Sequence, residues 1–249
     1  MTDGQPVIEL KNASIYHSRK WDGGKRKAGD ADNALILSDV NLRVEPGELV
    51  YLIGRVGSGK SSLLKTLYGE LPLMEGEGCV AGYDLCRLRR RDIPYLRRRL
   101  GIVFQDYRLL GDRNVYENLR FVLRATGWKD ERKVEQRIEE VLSRVDLSHK
   151  MHKMPFQMSG GEQQRLGIAR ALLNDPEVIL ADEPTGNLDP AATDVIMRIF
   201  TDVIVQTGCS VIMATHNINN LRNYPSRTLR FGHGTVEEID VYGIFAGQQ

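Results

Sequence analysis

The chain has 249 residues, with 34 basic and 33 acidic side chains for a formal net charge of +1, and is 41% hydrophobic and 27% charged. That balance excludes a disordered chain, and near-neutrality excludes a protein held to polyanions by its bulk field. No apolar stretch approaches the ~18 residues of a membrane-crossing helix, and residues 1–10 show no basic-then-apolar leader pattern.

In chain order, residues 7–16 alternate as a strand should. Residues 17–33 are rich in Lys, Gly and Asp and poor in apolar side chains, the composition of a surface loop. Strand patterning resumes over 35–44, Pro46-Gly47 marks a turn, and 49–53 is a short apolar run suited to a buried parallel strand. Residues 60–68 read as a helix. Cys79 and Cys86, with Cys209 far downstream, make no CxxC pair or Cys/His metal spacing, so buried, reduced thiols are expected. Residues 87–99 carry seven arginines with Asp92 as the only acid. A solvated face is the first reading of that run and a surface near anionic lipid headgroups the second. No nucleic-acid module accompanies it.

Over residues 128–147 the apolar positions Val134, Ile138, Val141, Leu142 and Val145 keep a 3.6-residue period, predicting an amphipathic helix. Another helix is expected over 160–173. Two further apolar runs, 178–181 and 211–214, read as buried strands. Helices between buried strands imply a parallel sheet with crossover helices, and the helical middle reads as an insertion into it. There is no internal repeat.

Residues 54–61, Gly54-Arg55-Val56-Gly57-Ser58-Gly59-Lys60-Ser61, fit the phosphate-binding pattern GxxxxGK[ST] between an expected strand and an expected helix, with Ser62 extending it. Glycines let the loop backbone turn its N–H groups onto phosphate oxygens. The helix N-terminus adds partial positive charge. Lys60 would neutralise the β- and γ-phosphates and Ser61 would ligate Mg²⁺. Val178-Ile179-Leu180-Ala181 ends in Asp182 and Glu183. A buried strand would deliver Asp182 to hold Mg²⁺ and Glu183 to take a proton from an attacking water.

Met158-Ser159-Gly160-Gly161-Glu162-Gln163-Gln164-Arg165 contains a helix capping box, Ser159-x-x-Glu162, but a cap does not need two glycines. This segment resembles the LSGGQ signature of the ABC ATPases, with Met158 for the first Leu and Glu162 for Gln. Val103-Phe104-Gln105 resembles the family's Q-loop, Gly186-Asn187-Leu188-Asp189 its D-loop, and Ala214-Thr215-His216 its switch histidine. Nearly the whole chain is covered. The runs 104–110, 112–118, 159–171, 181–189 and 211–216 are similar to the FtsE branch of cell-division ATPases. Lipoprotein-release and macrolide-export ATPases are the alternative within that branch.

The resemblance implies a P-loop fold: a RecA-like parallel core with an antiparallel β-subdomain and a helical subdomain near residues 106–173, all one nucleotide-binding domain over 1–249. It implies Mg²⁺-dependent ATP hydrolysis by a homodimer, with ATP sandwiched between subunits. The nucleotide would meet Gly54 to Ser62 and Gln105 of one subunit, and Ser159, Gly160, Gly161, Glu162 and Asp189 of the other. Glu183, His216, Gln105 and Lys60 would be catalytic, and Ser61, Gln105 and Asp182 would hold the metal. An aromatic residue would stack on adenine: Tyr16, or Trp21 in the long 17–33 loop. The partner implied is an FtsX-like integral membrane protein that keeps the chain peripheral at the cytoplasmic face of the inner membrane, with the groove for its helix near residues 107–118.

Overall fold

A computed structural model describes residues 4–17 and 34–240. Trp21 and residues 18–33 of the long loop lie outside the described residues. Ten strands and seven α-helices are present among the described residues. The central sheet has six strands in the order β10-β9-β3-β8-β7-β6. Five of them are β3 (Leu49–Gly54), β6 (Leu100–Val103), β7 (Val178–Asp182), β8 (Ser210–Ala214) and β9 (Arg227–Gly232), and these pair in parallel. The sixth, β10 (Thr235–Ile239), closes the edge as an antiparallel hairpin with β9.

Both faces of this sheet are covered, which is why its strands read as near-continuous apolar runs. The two-residue side-chain period divides each strand between two cores. Val178, Leu180, Ile212 and Ala214 enter one, while Ile179, Ala181, Val211 and Met213 enter the other. The first core is shared with α1 (Lys60–Leu67) and the small sheet. The second is shared with α3 (Val115–Ala125), α4 (Glu131–Arg144), α5 (Gly160–Leu172) and α6 (Pro190–Thr207).

The small sheet has the order β2-β1-β4-β5 and is antiparallel, built from β1 (Ile8–His17), β2 (Ala34–Val44), β4 (Glu75–Val80) and β5 (Tyr83–Asp84). Strand β1 runs under α1, so the small sheet braces the helix that follows the phosphate-binding pattern. No strand occurs between β6 and β7 among the described residues; that stretch holds α3, α4, two 3₁₀ turns and α5.

The expected helix over 128–147 starts later, at Glu131, because the Asp130 side chain accepts from the Arg132 and Lys133 N–H groups and caps it there. Its stripe of Val134, Ile138, Val141 and Leu142 is buried, as the period required. Arg137 is buried too, and it donates to the Leu172 and Leu173 carbonyls at the end of α5 while pairing with Asp175 at 2.5 Å. A buried cation is thereby satisfied by the unpaired carbonyls that a helix end leaves over.

The stretch 107–118, where the groove is expected, contains the start of α3. Asn114 and Glu117 form a reciprocal capping box. Only the second half of the seven-arginine run is helical, as the short α2 (Ile93–Arg98), which turns Ile93 and Leu96 inward; Arg89, Arg90 and Arg91 precede it. Cys209 is buried, whereas Cys79, on the outward side of β4 next to the buried Val80, and Cys86 are exposed, contrary to the expectation of buried thiols.

Candidate active site

Strand β3 ends at Gly54 and α1 begins at Lys60, so the glycine-rich pattern forms the turn between a buried strand and a helix N-terminus. Two of its glycines are required by space. A Cβ at Gly54 (φ +151) would stand 2.5 Å from the Phe231 carbonyl oxygen, and one at Gly59 (φ +104) 2.8 Å from Leu37 Cδ2. The Lys60 ammonium folds back and donates to the carbonyls of Gly54 (2.8 Å) and Arg55 (3.2 Å). It therefore holds the loop closed while keeping a cation at its centre. Ser58 Oγ is buried with no hydrogen-bond partner among the described residues, an acceptor and donor left open inside the loop.

Strands β7 and β8 bring the second half of the site. Asp182 stands opposite Ala214 in the parallel register, so the residues after each strand emerge side by side. Glu183 adopts φ +50, a left-handed conformation that costs a residue with a Cβ free energy. It is held there from both sides: its N–H donates to the Ala214 carbonyl (2.9 Å) and its own carbonyl accepts from Gly186 (3.1 Å). The twist turns its carboxylate onto His216. Glu183 Oε2 lies 2.9 Å from His216 Nδ1 and 3.3 Å from the His216 backbone N–H.

A cavity of about 420 Å³ is lined by Val56 to Ser62 of the loop and helix, by Gln105 after β6, and by Asp182, Glu183 and His216. Residues from the ends of four parallel strands thus converge on one space, the position where open α/β sheets bind ligands. The sequence reading missed two lining residues, His17 and Ile36.

Tyr16 does not line this cavity. Its hydroxyl donates to Glu75 Oε2 at 2.8 Å across the small sheet. The β1–β2 register shifts at residues 15–16, so the alternation that would choose between neighbouring side chains is broken here, and His17 faces the cavity instead.

Residues 159–162 and Asp189 also lie away from the cavity lining. Ser159 Oγ accepts from the Glu162 N–H (3.3 Å), Glu162 Oε2 accepts from the Ser159 N–H (2.9 Å), and Lys150 pairs with Glu162 at 3.1 Å. These contacts, the Ser159 N–H first among them, hold the Glu162 carboxyl below the usual range. The two glycines make room for close neighbours. A Cβ at Gly160 would sit 3.0 Å from the Tyr107 hydroxyl, and one at Gly161 3.2 Å from Ala192 Cβ. Asp189 caps α6 by accepting from the Ala192 N–H at 2.8 Å.

The sequence profile of the ABC transporter family matches residues 37–186. The chain belongs to that family. Within it, the cassette is similar to the cell division ATP-binding protein FtsE of Streptococcus pneumoniae, 42% identical over 96% of this chain and 97% of the relative. FtsE of Escherichia coli K12 is 44% identical over 79% of this chain and 89% of its own length. Among solved structures, the ABC cassette MJ0796, seen as a dimer in a post-hydrolysis state with ADP and Pi, superposes with a TM-score of 0.79 at 30% identity, covering 94% of this chain and 98% of that one. The arrangement of phosphate loop, Gln105, paired carboxylates and His216 therefore belongs to an ABC-type ATPase.

Proposed function

We propose that this ABC cassette works as a homodimer that clamps ATP between subunits and serves a cell-division complex through an FtsX-like membrane protein. One observation carries the dimer. The phosphate loop, Gln105, Asp182, Glu183 and His216 share one cavity, while Ser159, Gly160, Gly161, Glu162 and Asp189 stand outside it. A second copy supplying its own α5 N-terminus would complete the site, and the dimeric state of MJ0796 supports that reading. The FtsE relatives support the cell-division role over lipoprotein release or export.

In this reading the loop N–H groups and Lys60 bind the β- and γ-phosphates. Ser61, Gln105 and Asp182 offer the hard oxygen donors that Mg²⁺ takes alongside phosphate oxygens. Bound there, Mg²⁺ supplies charge neutralisation on the transferred phosphoryl group. Glu183, oriented by His216, accepts the proton of the attacking water. The Ser159 hydroxyl already accepts within its own chain, so its O–H remains to donate to the partner's γ-phosphate. The chain would sit at the cytoplasmic face of the inner membrane, held there by the membrane subunit.

The test is co-purification from membranes with the FtsX-like protein, with ATPase rates measured with Mg²⁺ and with a chelator. Joint recovery and chelator-sensitive turnover are expected. Recovery with a larger transporter permease instead would replace the cell-division reading with export.

A further inference from the structure

The seven arginines of residues 87–99 are unevenly spent. Arg99 pairs with Glu177 and donates to the Ala81 carbonyl, and Arg97 donates to the Tyr68 carbonyl at 3.0 Å, so both are structural. Arg87 pairs with Asp84. Arg89 and Arg91 share the single carboxylate of Asp92, at 3.2 and 3.9 Å. Arg90 makes no ion pair or hydrogen bond among the described residues. Their side chains are open to solvent, 67% for Arg89 and 70% for Arg91. Such exposed pairs hold a guanidinium weakly.

Because the whole chain is only +1, this cluster makes the rest of the molecule net acidic. Arg89 and Arg91 meet at Asp92, whose carbonyl accepts the Tyr95 N–H at 3.0 Å, so these arginines and the first turn of α2 make one exposed face. Helix α2 presents Tyr95 on that face, 56% exposed, with the Arg98 guanidinium 5.1 Å from its ring. Tyr68 lies near both Arg97, stacked on its ring at 5.5 Å, and Arg108, which stacks on Phe104 at 4.1 Å beside Gln105 and pairs with the exposed Asp106 at 3.2 Å.

We infer that this face, centred on Arg89, Arg90, Arg91 and Tyr95, binds anionic phospholipid headgroups directly, independently of any membrane subunit. Guanidinium groups match phosphate oxygens bidentately and are more weakly hydrated than ammonium groups. An exposed tyrosine has the apolar ring and polar tip that suit the headgroup level. The helix in the patch, α2, has only six residues, too few for a recognition helix, and the aromatic content of the patch fits a lipid boundary better than a phosphate backbone. The contact would set the orientation of the cassette against the bilayer, with the Gln105 segment on the same side.

The experiment is co-sedimentation of the purified full chain with vesicles of phosphatidylglycerol and phosphatidylcholine against vesicles of phosphatidylcholine alone. Binding to the anionic vesicles that weakens with added salt is expected. The triple variant R89Q/R90Q/R91Q should bind them roughly 100-fold more weakly, at about fivefold per arginine. Tyr95→Ser should weaken binding in the same direction. Calorimetric ATP affinity should be unchanged in these variants and shows that they are folded. Equal binding to both vesicle types, equal binding by the triple variant, or retention on immobilised duplex DNA without retention by vesicles would overturn the inference.

Discussion

Glu183 Oε2 and His216 Nδ1 stand 2.9 Å apart at the ends of adjacent parallel strands, and the same oxygen accepts the His216 backbone N–H. The carboxylate is 13% exposed and the imidazole 59%, so the acid is fixed inside while the histidine stays reachable from outside. If Glu183 takes the proton from water, Glu183→Gln should bind ATP normally and lose about 10²–10⁴-fold in turnover. His216→Ala should lose less, since it removes the group that orients the base and leaves the base itself. Phosphate release under saturating ATP measures both. A near-normal rate in Glu183→Gln would remove it from the base role.

Lys60 should matter earlier. Its ammonium ties the Gly54 and Arg55 carbonyls, so Lys60→Ala removes both the loop clasp and the cation. ATP affinity by calorimetry should fall sharply. Unchanged affinity would mean the loop does not hold phosphate.

Glu162 gives a pH dependence with a definite sign. Its carboxyl is held below the usual carboxylate range, principally by the Ser159 N–H. A depressed folded-state value contributes stability that is present above the unfolded value of about 4.3 and is lost as pH falls through the folded value. Glu162→Gln should therefore destabilise the chain at neutral pH and converge with the wild type in acid. Thermal melts from pH 3 to pH 7 check this. A constant offset across the range would show that the charge contributes nothing.

The segment between Gln105 and α3 is organised by Asn118. Its buried amide accepts from the Leu110 N–H and donates to the carbonyls of Leu110, Arg113 and Asn114. Leu109 packs against the helical core, and Leu110 is only half-buried. Asn118→Ala should cost about 1–3 kcal/mol by leaving buried groups unpaired, or several degrees of melting temperature at about 2–4 °C per kcal/mol. Leu110→Asp should keep ATP binding and weaken recovery of the membrane partner, whereas Leu109→Asp should lower stability first. Full recovery of the partner by Leu110→Asp would place the docking groove elsewhere.

The phosphate loop and the buried strands around it were legible because their chemistry is local. A GxxxxGK[ST] pattern and an apolar run ending in Asp182-Glu183 need only their own neighbours to be read. Tyr16 was not legible in the same way. Its direction depends on register shifts in β1 that no single residue announces, and His17 faces the cavity instead. The start of α3 was hidden because Val115 and Tyr116 look like the apolar content of a loop until Asn114 is seen as a cap. The β9–β10 hairpin was missed because Arg230, Glu237 and Glu238 make its exposed face look like a polar tail, and cross-strand pairing fixes it.

The claim that two copies complete one site is tested most directly at Ser159. Within its own chain, Ser159 is a helix cap, and losing a cap costs about 0.5–2 kcal/mol. In the dimer its hydroxyl would meet the partner's γ-phosphate, where an arginine side chain does not fit. Size-exclusion chromatography of Glu183→Gln with ATP should give a dimer. The double variant Glu183→Gln, Ser159→Arg should bind ATP and remain a monomer. An ATP-dependent dimer of undiminished yield from the double variant would contradict the shared site.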